Sequence, residues 1–270
     1  MPNFFAHYLH GQYVLNALPK DIYKRISNKK LFEIGLQGPD IFYPYKAITF
    51  PNSYKINKLG GKIHKKPCMK FMKNLFKNTE VSPTGDLFSY VCGFICHFSL
   101  DSVCHPYIDG VAEKNDFTHG EIETEFDRVL LELHGYDPVK TKLSDMITLP
   151  DVKSKSVKEM SKAFKGYKKI TPKVMARTLK DFKRFKRLFY SPSKIKQRVL
   201  LYVCQAFMLK NIYNSCVMRT KVNPKSFITN TGLIYLFTDC IGDSCELIAN
   251  FSDHIMFHVP LSKKFERCFV

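Results

Sequence analysis

The stretch from Leu87 to Leu100 constrains the fold of this chain more than any other segment. Its only non-apolar residues are Ser89, Gly93, His97 and Ser99. Residues 82–86 carry Ser, Pro, Thr, Gly and Asp, which favour the start of a helix. The run is shorter than the about 18 consecutive apolar residues that a membrane span requires. We therefore predict a buried core helix over 86–105.

The rest of the chain also favours helices. Residues 41–66 contain several Pro and Gly residues and predict loops, and no stretch alternates apolar and polar residues as a strand does. The other predicted helices cover 4–18, 22–35, 66–77, 116–133, 154–165, 172–189, 192–219 and 228–250. We predict an all-α multi-helix bundle forming a single domain over 1–270, with one half at 1–130 and a basic helical half at 131–270 that completes the bundle.

Histidines and carboxylates four residues apart mark the first half of the chain. His97 precedes Asp101 and His119 precedes Glu123 at this spacing, which puts both side chains of a pair on one helix face. Such a pair can aim a nitrogen and an oxygen at one divalent metal. His105 precedes Asp109 in the same way, but Pro106 predicts that the helix is interrupted there.

Either pair alone has a simpler explanation, because a single histidine on an apolar helix is often a hydrogen-bonded core residue. Two further observations favour a metal. Most of the nine histidines lie in residues 1–119, and Asp101 follows a buried run in which an unpaired carboxylate would be costly. The spacing therefore predicts a metal site in the half at 1–130.

Charge is concentrated in one segment of the chain. The formal net charge is +18, and residues 151–198 carry 17 basic and three acidic side chains. This block predicts peripheral contact with an anionic membrane, with nucleic acid as a weaker candidate and a solvated lysine-rich face as the alternative without a partner. The nine cysteines have no disulfide spacing, and the N-terminus lacks the features of a signal peptide. We expect a cytoplasmic protein.

These motifs resemble the zinc-dependent bacterial phospholipase C family, which is related to the S1/P1 nucleases. Members of this superfamily are helical and hold three zinc ions in a cleft. The resemblance covers about residues 1–130. It implies a first metal on Asp40, His64, His97 and Asp101, and a second on His105, His119 and Glu123. It also implies that Asp101 bridges to a third metal bound by His7.

Two features of the sequence depart from the family. Its secreted members bind the third zinc through a mature N-terminal Trp, whereas this chain has no Trp, so that Pro2 or His10 could complete the site or the site could be absent. The acidic residue that the family uses for choline has no counterpart, because residue 4 is Phe. The aromatic residues at 42, 43 and 45 could form a wall for a quaternary ammonium or belong to the core.

The resemblance implies a zinc-dependent phosphodiester hydrolase of the phospholipase C type with two to three zinc ions. Asp40 would act as a ligand and general base while an activated water attacks the phosphorus of a phospholipid or related phosphodiester. One alternative is a nuclease of the S1/P1 type. The other is a non-catalytic helical protein that metals stabilise and that binds anionic surfaces.

Overall fold

The computed structural model describes residues 3–47, 54–114, 116–151, 154–167 and 169–270. Within these ranges the chain forms α-helices and short 3-10 helices and no strand, so the predicted all-α class is confirmed. The helices are α1 Phe4–Ala17, α2 Lys20–Arg25, α3 Lys29–Gly35, α4 Tyr54–His64, α5 Cys68–Asn78, α6 Asp86–Lys114, α7 His119–Leu133, α8 Lys155–Lys162, α9 Pro172–Phe189, α10 Lys194–Ala206, α11 Lys210–Cys216 and α12 Ser226–Phe257. The 3-10 helices are Gly38–Phe42, Leu143–Asp145 and Lys263–Glu266.

Helix α6 forms the centre of the molecule. Every residue from Leu87 to Asp101 is buried, and α3 and α12 pack most extensively against it. In the part of the chain that the structure describes, α6 is also the one helix long and apolar enough to cross a membrane, but 89% of that apolar window is buried inside the protein. This burial is typical of the core helix of a globular protein.

Two glycines allow α3 and α6 to pack backbone against backbone. A Cβ atom on Gly93 would lie 2.0 Å from the carbonyl oxygen of Phe32, and one on Gly35 would lie 2.2 Å from that of Tyr90. Neither position can therefore carry a side chain without separating the helices. The close contact brings the end of α3 and the following Gly38–Phe42 turn against the polar residues of α6.

The predicted interruption at Pro106 is wrong. Helix α6 continues through Pro106 to Lys114. A proline inside a helix removes one hydrogen-bond donor and costs roughly 3 kcal/mol. Burial of Cys104, His105 and Ile108 around it offsets this cost. His105 and Asp109 therefore do lie on one helix.

Other helix boundaries also differ from the prediction. Residues 54–64, predicted as loop, form α4, and residues 48–53 of that loop lie outside the described residues. The predicted helices 22–35 and 192–219 are each broken in two. Asn28 caps the N-terminus of α3 through Leu31 N, and Met208 adopts a φ of 56° between α10 and α11. Apolar periodicity continues across such breaks and does not reveal them.

The largest apolar core draws residues from α1 to Phe269, and a second core joins α1, α6, α7 and α12. Both cores therefore combine segments from the two predicted halves. The division of the domain at residue 130 stays a prediction.

Candidate metal centre

Five elements bring the predicted ligands together at the interior end of a cleft. The metal-site candidates comprise His7 on α1, Asp40 in the first 3-10 helix, His64 at the end of α4, His97, Asp101 and His105 on α6, and His119 and Glu123 on α7. All of these side chains are buried except that of His119, which is partly exposed.

Asp101 lies at the middle of this cluster. Its Oδ1 is 3.2 Å from His7 Nε2 and 3.7 Å from His105 Nε2. Its Oδ2 is 3.0 Å from His97 Nε2 and 3.4 Å from His64 Nε2. Each carboxylate oxygen therefore faces a different pair of imidazoles, which is the arrangement that a carboxylate bridging two cations would need.

The contacts around Asp101 are not hydrogen bonds. Both of its oxygens and both ring nitrogens of His7 and of His105 are buried without a hydrogen-bond partner. Buried polar atoms in proteins are nearly always hydrogen-bonded, and leaving one unpaired costs about 1–3 kcal/mol. The Nε2 atoms of His7 and His105 and the two Asp101 oxygens face one another, and unpaired atoms so arranged fit a site whose missing partner is a metal cation.

Backbone carbonyls fix the orientation of two histidines in a second group. His97 Nδ1–H donates to the carbonyl of Leu36 at 3.1 Å, and His64 Nδ1–H donates to that of Gly60 at 2.8 Å. The two Nε2 atoms then lie 3.4 Å apart. Asp40 Oδ1 is 3.2 Å from His64 Nε2. Two ring nitrogens and a carboxylate therefore converge on one region, as the ligands of a cation would.

A third group lies between α6 and α7. His105, His119 and Glu123 offer ligand atoms that all lie within 4.8 Å of one another. His119 Nε2 is 2.8 Å from Glu123 Oε1, while its Nδ1 is 2.6 Å from Asp109 Oδ1. A carboxylate behind a ligating histidine fixes the ring and its tautomer. Asp109 therefore positions His119.

The electrostatics of the cluster suit metal binding. Burial lowers the pKa of His7 to about 4 and that of His105 to about 2, so both rings are neutral at pH 7 and can act as ligands. Burial alone would raise the pKa of Asp101, but His97 and His105 hold it well below its usual range. Burial also opposes the charged form of His64, yet the nearby carboxylates of Asp101 and Asp40 raise its pKa to about 10. The two carboxylates therefore favour a cation at His64 Nε2, which is a proton in the absence of metal and which a bound metal ion would displace.

His10 and Pro2 were the two candidates to complete the third metal site. His10 is buried, and its Nε2 is 2.8 Å from Ser244 Oγ rather than in any of the three groups, while Pro2 lies outside the described residues. Of the aromatic residues predicted as a possible wall, Phe42 and Tyr45 are buried in the core. Tyr43 alone is partly exposed, and its ring stacks on His64 with centroids 6.0 Å apart.

A cleft of about 550 Å³ opens above the cluster. Asp40 and Glu123 line it, together with Tyr43, Phe182 and Lys186. Lys186 belongs to the basic segment 151–198, so part of that segment faces the candidate site. Lys186 Nζ donates to Asn3 Oδ1 at 3.0 Å.

Sequence reasoning missed three residues that shape the site. Asp109 was visible at the four-residue spacing from His105, but the expected break at Pro106 removed it from consideration. Lys186 and Phe269 had no local signal. The ring of Phe269 lies 5.3 Å from His64 and 6.1 Å from His97, so it closes the apolar side of the cluster.

Comparison with known proteins agrees with this geometry. No curated protein and no solved structure matches the chain. The model of the family described as zinc dependent phospholipase C matches residues 6–191, which is more than half of the chain and includes every candidate ligand but none of α10–α12. The chain belongs to the zinc-dependent phospholipase C family.

Proposed function

We propose that this protein is a zinc-dependent phosphodiesterase that cleaves the headgroup phosphodiester of phospholipids. The observation that carries the proposal is the ring of four imidazoles around Asp101, whose oxygens have no hydrogen-bond partner. The proposed ligands are His7, Asp40, His64, His97, Asp101, His105, His119 and Glu123.

Zinc ions at this site would lower the pKa of a water molecule to near 7 and neutralise charge on the phosphoryl oxygens. Three carboxylates, those of Asp40, Asp101 and Glu123, cannot neutralise two or three divalent ions. With these ions bound, the part of the cleft that Asp40 and Glu123 line would carry net positive charge and would attract an anionic phosphodiester.

Asp40 has the position of a general base. It lines the cleft, and its Oδ1 is buried without a hydrogen-bond partner, so it can accept a proton from the attacking water. The proton would pass to Asp40 as the water oxygen bonds to phosphorus. The bond from phosphorus to the leaving oxygen breaks and that oxygen takes up a proton from solvent, so that a phospholipid substrate yields diacylglycerol and a phosphomonoester, while Asp40 returns its proton to solvent.

The walls of the cleft suit an amphipathic substrate. Lys186 provides positive charge beside the anionic phosphodiester, and Phe182, Phe185 and Ile212 provide an apolar side for glycerol and acyl carbons. No acidic side chain other than Asp40 and Glu123 lines this cleft among the described residues. A preference for choline therefore has no support from the cleft.

Metal analysis combined with turnover tests the proposal. We expect the purified protein to contain two to three zinc ions and to hydrolyse phosphatidylcholine or phosphatidylglycerol, with activity lost on chelation and restored by zinc. His119→Ala should release zinc and lower activity by at least about 100-fold, because it removes a ligand. His258→Gln, at an exposed histidine outside the site, should leave both unchanged.

Two outcomes would contradict the proposal. Zinc-dependent cleavage of single-stranded DNA without cleavage of any phospholipid would assign the site to a nuclease. A full complement of zinc without hydrolysis of either substrate would indicate a structural metal centre.

The proposed location is the cytoplasm, supported by nine cysteines that are all free thiols. Alkylation of the thiols while cells are lysed without reductant tests that location, and nine alkylated cysteines per chain are expected.

A further inference from the structure

The helices α10 and α11 expose an apolar surface near the cleft. We define the α10–α11 surface by the outward-facing apolar residues Ile195, Val199, Tyr202, Phe207, Met208 and Ile212. Ile195 and Tyr202 are each 76% exposed, Phe207 is 69% exposed and Met208 is 92% exposed. Monomeric soluble proteins rarely expose apolar side chains so densely, and such patches commonly mark a binding surface.

Helix α10 is held firmly despite its exposure. Of its residues, only Gln197 and Cys204 are buried. The amide of Gln197 donates to the carbonyls of Ser191 and Met218 at 2.9 Å and 3.2 Å. These bonds fix the rotation of α10 and keep its apolar residues directed outward. The exposed face is therefore a property of the packed helix.

The chain segment that carries this surface has charged side chains of one sign. Between Asp181 and Asp239 the sequence contains no Asp or Glu, while it contains eleven Lys and Arg residues. Lys194, Arg198 and Lys210 alternate with the exposed apolar residues of α10 and α11. Apolar side chains mixed with basic ones, without acidic ones, complement the boundary between headgroups and acyl chains in an anionic bilayer.

The surface is continuous with the cleft. Ile212 belongs to it and also lines the cleft, together with Ser215 and Cys216 of the same helix. Phe207 and Met208 lie between the end of α10 and the start of α11. A bilayer in contact with these residues would adjoin the cleft that Asp40 and Glu123 also line.

We propose that the α10–α11 surface docks on bilayers that contain anionic phospholipids, with Phe207 and Met208 entering the headgroup region. This inference rests on the proposed function in taking a membrane lipid as substrate. It places the membrane contact at 195–212, mostly beyond the segment 151–198 that the charge block alone indicated. Four of the six residues are Ile, Val or Met, which favours a bilayer over nucleic acid, because bases stack on aromatic rings and only Tyr202 and Phe207 provide them.

Vesicle flotation tests the docking surface. We expect the protein to float with vesicles of phosphatidylcholine and phosphatidylglycerol and to bind pure phosphatidylcholine vesicles more weakly. Phe207→Ser/Met208→Ser should weaken binding to the mixed vesicles by about tenfold or more, because two inserted side chains are lost. Lys194→Gln/Arg198→Gln should weaken it by about tenfold and reduce its salt dependence.

A matched pair of exposed apolar residues provides the control. Leu133 and Phe257 are each 65% exposed and lie at the C-terminal ends of α7 and α12. Leu133→Ser/Phe257→Ser should float as the unmodified protein does. Flotation of Phe207→Ser/Met208→Ser equal to that of this control, or no flotation of the unmodified protein, would overturn the proposal. The proposal would also be overturned if single-stranded DNA abolished vesicle binding and the serine substitutions at Phe207 and Met208 left that binding unchanged.

Hydrolysis of a soluble substrate separates this proposal from the proposed function. Phe207→Ser/Met208→Ser should keep full activity on monomeric dihexanoyl-phosphatidylcholine and lose about tenfold on vesicles. Flotation as expected without hydrolysis of either lipid would contradict the proposed function and leave the docking surface supported. Equal loss of activity on both lipids would show a damaged site and overturn the docking role.

Discussion

At the scale of single residues, two carboxylates on α6 show how position divides their roles. Asp101 is fully buried among imidazoles, whereas Asp109 is 52% exposed and touches only the outer nitrogen of His119. Removing a carboxylate that contacts the outer nitrogen of a ligating histidine, as Asp109 does, typically lowers metal affinity by 10- to 100-fold. We expect Asp109→Asn to weaken zinc binding by that amount without unfolding the protein, as measured by competition with a chromogenic chelator. Asp116→Asn, at another exposed aspartate, should have no effect.

Gly38 is a residue whose missing side chain matters. Its φ is 47°, and a Cβ atom there would lie 2.1 Å from His97 Cδ2. Gly85 also has a positive φ, 95°, but a Cβ there would meet nothing within 4 Å. Both alanine variants should lose about 1–2 kcal/mol of stability from backbone strain.

Only Gly38→Ala should also displace His97 and lower the zinc content. Urea unfolding and elemental analysis of the two variants measure these effects. Equal zinc content in Gly38→Ala and Gly85→Ala would contradict the close packing of Gly38 against His97.

At the scale of elements, a buried carboxylate on α7 fixes the start of α1 and so the position of His7. Asp127 accepts hydrogen bonds from Phe5 N at 3.0 Å and Ala6 N at 2.8 Å. Burial raises the pKa of Asp127 to about 6 despite these donors, whereas an unfolded Asp has a pKa of about 3.9. From about pH 4 to 6 the folded state therefore retains a proton that the unfolded state releases.

Stability should therefore fall as the pH rises through this window. With about 1.4 kcal/mol per pKa unit, the loss is of the order of 3 kcal/mol. Asp127→Asn cannot titrate, so the stability of the unmodified protein relative to this variant should decrease between pH 4 and pH 7. Urea unfolding of both proteins at several pH values measures the difference. A constant difference would show that Asp127 ionises normally in the folded protein.

Helix α6 shows what a local rule omits. Proline disfavours a helix interior, and this rule alone ended the predicted helix near His105. The packed neighbours of Pro106 outweigh that preference, and the helix extends two more turns to Lys114. Asp109 reaches His119 only because those turns exist.

At the scale of the whole molecule, residues far apart in sequence complete the site. Phe269 is fully buried against Phe94, Phe98 and His64, with ring centroids 5.8, 5.0 and 5.3 Å away. Phe269→Ala should lower the free energy of unfolding by about 3–5 kcal/mol through the cavity that it leaves. Phe257→Ala, at a largely exposed position, should change it by no more than about 0.5 kcal/mol. Urea unfolding distinguishes the two, and similar losses would contradict the role of Phe269 in the core.

Much of the site could be predicted from the sequence because its chemistry is local. His97 with Asp101 and His119 with Glu123 are pairs within one helix, and helix geometry alone brings their side chains together. The all-α class follows from apolar periodicity for the same reason. His7 and Asp40 lie on isolated elements, and only the family resemblance identified them.

The sequence by itself determined the helical class, the within-helix ligand pairs and the concentration of positive charge, because these depend on spacing and composition. The tertiary structure alone decided that Asp101 faces imidazoles from three helices, that Lys186 and α11 border the cleft, and that Phe269 closes the cluster. Such contacts join residues separated by most of the chain. They arise from how complete helices pack, and packing depends on the shape of every buried side chain at once.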